Sequence, residues 1–267
     1  MKIVPHLSNI STKKEVAQAM LKCLTHLCYI IVLICFYIIN LMSIPKKYTA
    51  VLFDLDGTLV SNYTAIHHCL CACFEKFGVP KPDYDLVVRT VGGSILITIR
   101  KLLAYHNKEH LADEIGNMYI PLFPKYIFDG LAPMPYAEDF LRALKSQGLK
   151  LACFTNKQQD GAEKILQHLG LDKYLDAIIG TTLHSPRKPE KEFTDFALKT
   201  LGVSADETIG IGDSPYDYKA ARVCGIDSAL VATGGDSLEF LSAECPDRIG
   251  VFADFKDMAH EIFDIEL

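Results

Sequence analysis

Residues 50–60 read AVLFDLDGTLV, a short apolar run that ends in two acidic residues and a glycine. Such a run, closed by polar turn residues, predicts a strand of a parallel sheet buried on both faces. Three runs of the same kind follow: KLACFT at 150–155, TIGIGD at 208–213 and SALVA at 228–232, each ahead of a polar or Gly-rich turn. Between them, residues 139–146, 159–169, 192–201 and 215–224 carry apolar side chains at three and four spacing, the mark of helices with one buried face. Strands alternating with helices predict right-handed crossovers, and hence an α/β fold built on a doubly wound parallel sheet. Residues 177–181 (AIIGT) and 249–253 (IGVFA) are further candidate strands.

About 95 residues separate the first strand from the second, far more than one crossover needs. Amphipathic helices are expected at 64–77, 94–106 and 109–128, broken by Pro80 to Asp83, by Gly92-Gly93 and by Pro121. Residues 62–135 therefore read as an inserted helical cap, and 48–61 with 136–267 as the core. Residues 1–47 form an extension of different character.

The 267 residues are 49% hydrophobic and 22% charged, which excludes a disordered or collagen-like chain. The net charge of −6 argues against a nucleic-acid partner, which would call for a basic face. Nine cysteines, an odd number in a chain too long to need stapling, suit a reducing compartment, and the cytoplasm is the expected location. Residues 1–50 hold six Lys and one Glu, against 21 basic and 32 acidic groups in the remainder. This basic start contains LCYIIVLICFYII at 27–39, and the segment 23–42 approaches the roughly 20 residues that a bilayer requires. Three readings of it stay open: a membrane anchor, a mis-assigned start with Met42 as the true first residue, and a signal peptide, which the lack of small residues at a cleavage site disfavours.

Ligands of open α/β sheets bind beyond the carboxyl ends of the strands, so the strand endings are the place to look for chemistry. They are Asp54-Leu55-Asp56-Gly57-Thr58, Thr155-Asn156 and Gly212-Asp213-Ser214, with Asp217 one helical turn on and Lys188-Pro189 in the connection between. Singly, each has an ordinary structural explanation: Asp or Thr-Asn at a strand end is commonly a helix cap or turn, and a lone Lys is commonly solvated. Taken together and in order, FDLDGTLV (53–60), FTN (154–156), RKPE (187–190) and IGDSPYDYKAARVCGID (211–227) resemble the haloacid dehalogenase superfamily, and within it the phosphoglycolate phosphatase-like branch. The resemblance covers residues 48 to about 260 and implies a Rossmann-like core with a helical cap placed after the first strand.

The resemblance implies roles that charge and reach make intelligible. Asp54 is the expected nucleophile, forming an aspartyl phosphate, with Asp56 as acid and then base. Mg²⁺ is the implied cofactor, held by Asp54, Asp213 and the main-chain carbonyl of Asp56, with Asp217 steadying Lys188 or the metal's water shell. A phosphate dianion and two ionised carboxylates exceed the charge of one Mg²⁺, so Lys188 is the expected further cation, in both catalysis and substrate binding. Thr155 by its hydroxyl and Asn156 by its main-chain N–H are expected on the phosphoryl oxygens. Asp56 speaks against dehalogenation, whose halide leaving group needs no acid, and Thr58 resembles the phosphatases more than the mutases.

The substrate expected from the resemblance is a small phosphorylated metabolite, first of all 2-phosphoglycolate. Its carboxylate would call for a cap cation, with Arg89 the chosen candidate over Arg100 and Lys101. Two departures from the family pattern weaken the assignment to phosphoglycolate: Ser61-Asn62 stands where many relatives have Asp-Ser, and Lys188-Pro189-Glu190-Lys191 where Lys-Pro-x-Pro is frequent. Pyrophosphatase, sugar-phosphate phosphatase and phosphomutase activity stay open, as does a non-catalytic, membrane-tethered binding module. Oligomeric state is not legible in the sequence.

Overall fold

The structure, a computed structural model, describes residues 48–182 and 184–267. The apolar segment 23–42 lies outside them; among the described residues no helix is long and apolar enough to cross a membrane.

Six parallel strands form the central sheet: β1 (Ala50–Phe53), β4 (Lys150–Gln158), β5 (Ala177–Thr181), β6 (Thr208–Gly212), β7 (Asp227–Val231) and β8 (Gly250–Phe252). Their spatial order is β5-β4-β1-β6-β7-β8, so the first strand lies in the middle and the chain winds outward from it in both directions. Every residue of β1 is buried, as a strand covered on both faces must be. The pleat divides its side chains. Val51 and Phe53 enter a core with α5 (Ala137–Ser146) and α10 (Phe255–Phe263), where Phe53 meets Phe140 edge-on at 5.9 Å between ring centroids. Ala50 and Leu52 enter a second core with α7 (Lys191–Leu201) and α8 (Pro215–Arg222). The two remaining core helices are α6 (Gln159–Leu169), after β4, and α9 (Leu238–Glu244).

The insertion leaves and rejoins the core through an antiparallel pair of two-residue strands, β2 (Val60–Ser61) and β3 (Ala132–Pro133), which holds both ends of the cap together. Between them lie α1 (Tyr63–Lys76), α2 (Tyr84–Thr90), α3 (Ile95–Ala104) and α4 (Ala112–Leu122). One expectation holds and one is corrected here. Pro121 falls in the last turn of α4, which ends one residue later at Leu122, and the chain then tightens into a 3₁₀ turn at Phe123–Lys125. The stretch Glu109–Leu111 is likewise a 3₁₀ turn rather than the start of one long helix. Helix α2 is an addition, capped by the Asp83 side chain, which accepts from the N–H groups of Asp85 and Leu86 at 3.0 and 3.2 Å.

Candidate active site

The site is assembled by the register of the three central strands. Phe53 of β1 is level with Cys153 of β4 and Ile211 of β6, so Asp54, Thr155 and Asp213 emerge side by side at the carboxyl ends. The turn after Asp54 is tight: Gly57 has φ +90°, and a Cβ there would collide with the Asp213 carboxylate. The close approach lets Thr58 donate its hydroxyl to Asp213 Oδ1 at 2.7 Å.

Lys188 reaches this cluster from the connection between β5 and α7. Its backbone is pinned by Asn156, whose Oδ1 accepts from Lys188 N–H at 2.7 Å and whose Nδ2 donates to Lys188 carbonyl at 3.1 Å. The buried Lys188 Nζ then donates to Asp54 Oδ1 at 2.7 Å and to Asp217 Oδ1 at 2.6 Å. The other oxygen of Asp217 accepts from Ser214 N–H and Oγ–H, which closes a capping box at the start of α8. One carboxylate thus fixes both the helix and the lysine.

Burial drives the electrostatics. It pushes the Asp54 carboxyl up to about 6, with Lys188 pulling the other way and the Asp217 charge adding to the rise. Asp213 is raised well above the usual carboxylate range by burial, then by Asp54 and Asp217. Lys188 is desolvated too, yet Asp217 and Asp54 outweigh that and hold its proton more firmly than usual. The cluster carries excess negative charge in a nearly dry place.

Of the residues named from sequence, Asp54, Asp56, Thr155, Asn156, Lys188, Asp213 and Asp217 line one cavity. The Asn156 side chain has a further part that the sequence did not announce, in supporting Lys188. Asp56 stands apart from the other carboxylates: Lys157 donates to it at 2.9 Å and Asn62 at 3.3 Å. Lys157, Asn62 and Thr58 were not among the candidates. Lys157 directly follows Thr155-Asn156, but nothing in its neighbours along the chain announces a partner 101 residues away. Arg89 is the misplaced candidate. The cap does dip to the core at Gly92-Gly93, where a Cβ on Gly93 would meet the Tyr216 ring at 2.8 Å, but Arg89 is exposed and lines none of the cavities described here.

A family model described as haloacid dehalogenase-like hydrolase matches residues 51–231. The chain belongs to the haloacid dehalogenase-like hydrolases. It is 31% identical over 218 residues to a phosphoglycolate phosphatase of Rhodospirillum rubrum, covering 79% of this chain and 88% of the relative. It is 29% identical to a provisionally named pyrophosphatase of Clostridium perfringens, over 74% of this chain and 90% of that one. The crystal structure of a predicted phosphatase from Clostridium acetobutylicum superposes with a TM-score of 0.73 at 27% identity, over 82% of this chain and all of the other.

Members of this hydrolase family generally use a divalent metal, and the residues present fit one. Asp54, Asp213 and Asp217 offer carboxylate oxygens within 4.8 Å of one another, an all-oxygen donor set suited to a hard cation. The raised affinity of Asp54 and Asp213 for protons marks a charge deficit that a cation would fill. The Asp56 side chain lies outside that trio, in its pair with Lys157.

Proposed function

We propose that this hydrolase is a Mg²⁺-dependent phosphatase that cleaves a small phosphomonoester through an aspartyl phosphate on Asp54. The observation that carries the reading is the division of labour between two carboxylates two residues apart: Asp54 is held by Lys188 at 2.7 Å beside Asp213, whereas Asp56 is held by Lys157 at 2.9 Å on the cap side. Bound Mg²⁺ would supply Lewis-acid neutralisation of the phosphoryl group, on Asp54, Asp213 and the main-chain carbonyl of Asp56.

In the first step an Asp54 oxygen bonds to phosphorus as the bond to the leaving oxygen breaks, and protonated Asp56 gives that oxygen its proton. In the second, Asp56 takes a proton from water, the water oxygen bonds to phosphorus and the bond to Asp54 breaks, which releases phosphate and restores both residues. Lys188 offsets charge on the phosphoryl oxygens, Thr155 and the Asn156 N–H orient them, and Asp217 keeps Lys188 aimed. The reducing cytoplasm is our reading for where this occurs, given six free thiols among the described residues.

The test is phosphate release by the full chain with Mg²⁺ from 2-phosphoglycolate and pyrophosphate, the compounds that the relatives' names supply, together with hexose and aryl phosphates. Turnover that vanishes with chelator and in Asp54→Asn supports the reading; folded protein with no turnover of any ester refutes it.

A further inference from the structure

Two cavities meet at Asp56. The first is the polar one of the carboxylates. The second lies between cap and core and encloses about 920 Å³ counting its mouth. They share Asp56, Val91, Gly92, Gly93, Asn156 and Lys157, so the two cavities adjoin along the Asp56–Lys157 pair. An ester whose phosphoryl group sits by Asp54 would place its leaving oxygen near Asp56 and the rest of its alcohol in the second cavity.

The walls of that second cavity are chemically one-sided. Ile66, Ile95, Tyr119, Ile120, Phe123 and Ile127 form most of its cap-side surface, with Ser94 and Thr98 as the small polar members. Its charged residues are Asp56, Lys157, Asp160 and Lys164, and they are matched in pairs: Lys157 with Asp56 at 2.9 Å, Lys164 with Asp160 at 3.6 Å. Lys157 is further covered by the Phe123 ring, 4.7 Å from its Nζ. The cap cations considered for a substrate carboxylate are elsewhere. Arg100 pairs with Asp113 at 3.0 Å on the surface, and neither Arg89 nor Lys101 lines the cavity. Lys164 stands at the exposed mouth, and in the interior a carboxylate would lose water and meet only Lys157, already held by Asp56, whereas an apolar group would gain by burial.

We propose that this second cavity is the leaving-group compartment, and that the preferred substrates are phosphomonoesters of an apolar alcohol or phenol rather than esters bearing a carboxylate such as 2-phosphoglycolate. This rests on the phosphatase reading for catalysis, but the compartment can be probed without turnover.

The experiment is titration calorimetry of the full chain with saturating Mg²⁺ against three non-hydrolysable phosphonates: methylphosphonate, benzylphosphonate and phosphonoacetate. Benzylphosphonate is expected to bind about tenfold or more tighter than methylphosphonate, the effect of burying one ring's apolar surface. Phosphonoacetate is expected to bind no tighter than methylphosphonate. The variant Ile120→Lys, at a partly exposed wall position, should reverse the order of benzylphosphonate and phosphonoacetate; Ile95→Lys provides a second wall position should the first fail to fold. Phosphonoacetate binding tighter than methylphosphonate, or no gain from the benzyl group, overturns the proposal. Alongside, kcat/KM is compared for phenyl phosphate and 2-phosphoglycolate. A preference for 2-phosphoglycolate overturns the compartment and leaves the phosphatase standing; the benzylphosphonate preference without turnover of any ester upholds the compartment and removes the phosphatase.

Discussion

Lys157 grips both carboxylate oxygens of Asp56, at 2.9 and 3.2 Å, from a position on β4 that faces the cap. The pair is mostly buried, and the Phe123 ring of the cap lies over the lysine, so the proposed acid/base group is held at the seam between cap and core. Lys157→Met is therefore expected to lower kcat about tenfold with little change in KM, a part of the roughly 10²–10⁴ that acid–base catalysis supplies. Lys157→Arg should recover most of the rate. Steady-state phosphate release on the two variants checks this, and an unchanged kcat in Lys157→Met would make the lysine merely structural.

Asp54 and Asp56 are expected to fail in different ways. Asp56→Asn removes proton transfer and should cost about 10²–10⁴ in kcat, most severely for esters with poor leaving groups. Asp54→Asn removes the nucleophile and should abolish phosphoenzyme with every ester. Acid-quench trapping of radiolabelled phosphate on the protein distinguishes them, and label retained by Asp54→Asn would place the nucleophile elsewhere.

The metal-free protein should lose stability as pH rises. Unfolded Asp gives up its proton near pH 4, whereas folded Asp54 keeps it to about 6, so this contribution is whole below about 4 and is lost as pH climbs through 6. Its size is on the order of 2–3 kcal/mol, and Asp213, raised by the same burial, adds to the loss in the same direction. Mg²⁺ should accordingly raise Tm more at pH 7.5 than at pH 4.5. Melting curves in chelator and in Mg²⁺ at both pH values test the sign. Asp213→Asn, which removes one of the crowded charges, should raise Tm in chelator at pH 7.5 and shrink the Mg²⁺ increment.

Gly57→Ala should damage fold and site together. Its φ of +90° is costly for any residue with a Cβ, and the added carbon would push against the Asp213 carboxylate. A loss of about 1–3 kcal/mol in stability is expected, with weaker Mg²⁺ binding by calorimetry. Wild-type metal affinity in this variant would mean that the turn can yield without moving Asp213.

Much of this was written in the local sequence. Strand and helix identities over the core follow from runs such as AVLFDL and from three-and-four spacing, because a strand buried on both faces and a helix buried on one leave distinct patterns. Asp54, Asp56, Thr155, Lys188, Asp213 and Asp217 were named from sequence because together they stand in motifs that resemble the haloacid dehalogenase superfamily; singly, each reads as a cap, a turn or a solvated charge. Helix α2 was missed although Asp83 is a standard cap, since the seven residues that follow show little periodicity.

What only the tertiary structure decided is who meets whom across the chain. The register of β1 with β4 and β6 joins residues 54, 155 and 213, and the partners of Asp56 and Lys188 come from up to 134 positions away. No local pattern specifies such a partner, because pairing depends on where two separate strands end and on how the cap's Gly92-Gly93 turn lies against Tyr216. The same holds for the cap. Its sequence announced helices and offered arginines, but which face of each helix turns inward is settled by packing, and packing turned isoleucines and aromatics toward Asp56 and left Arg89 in water.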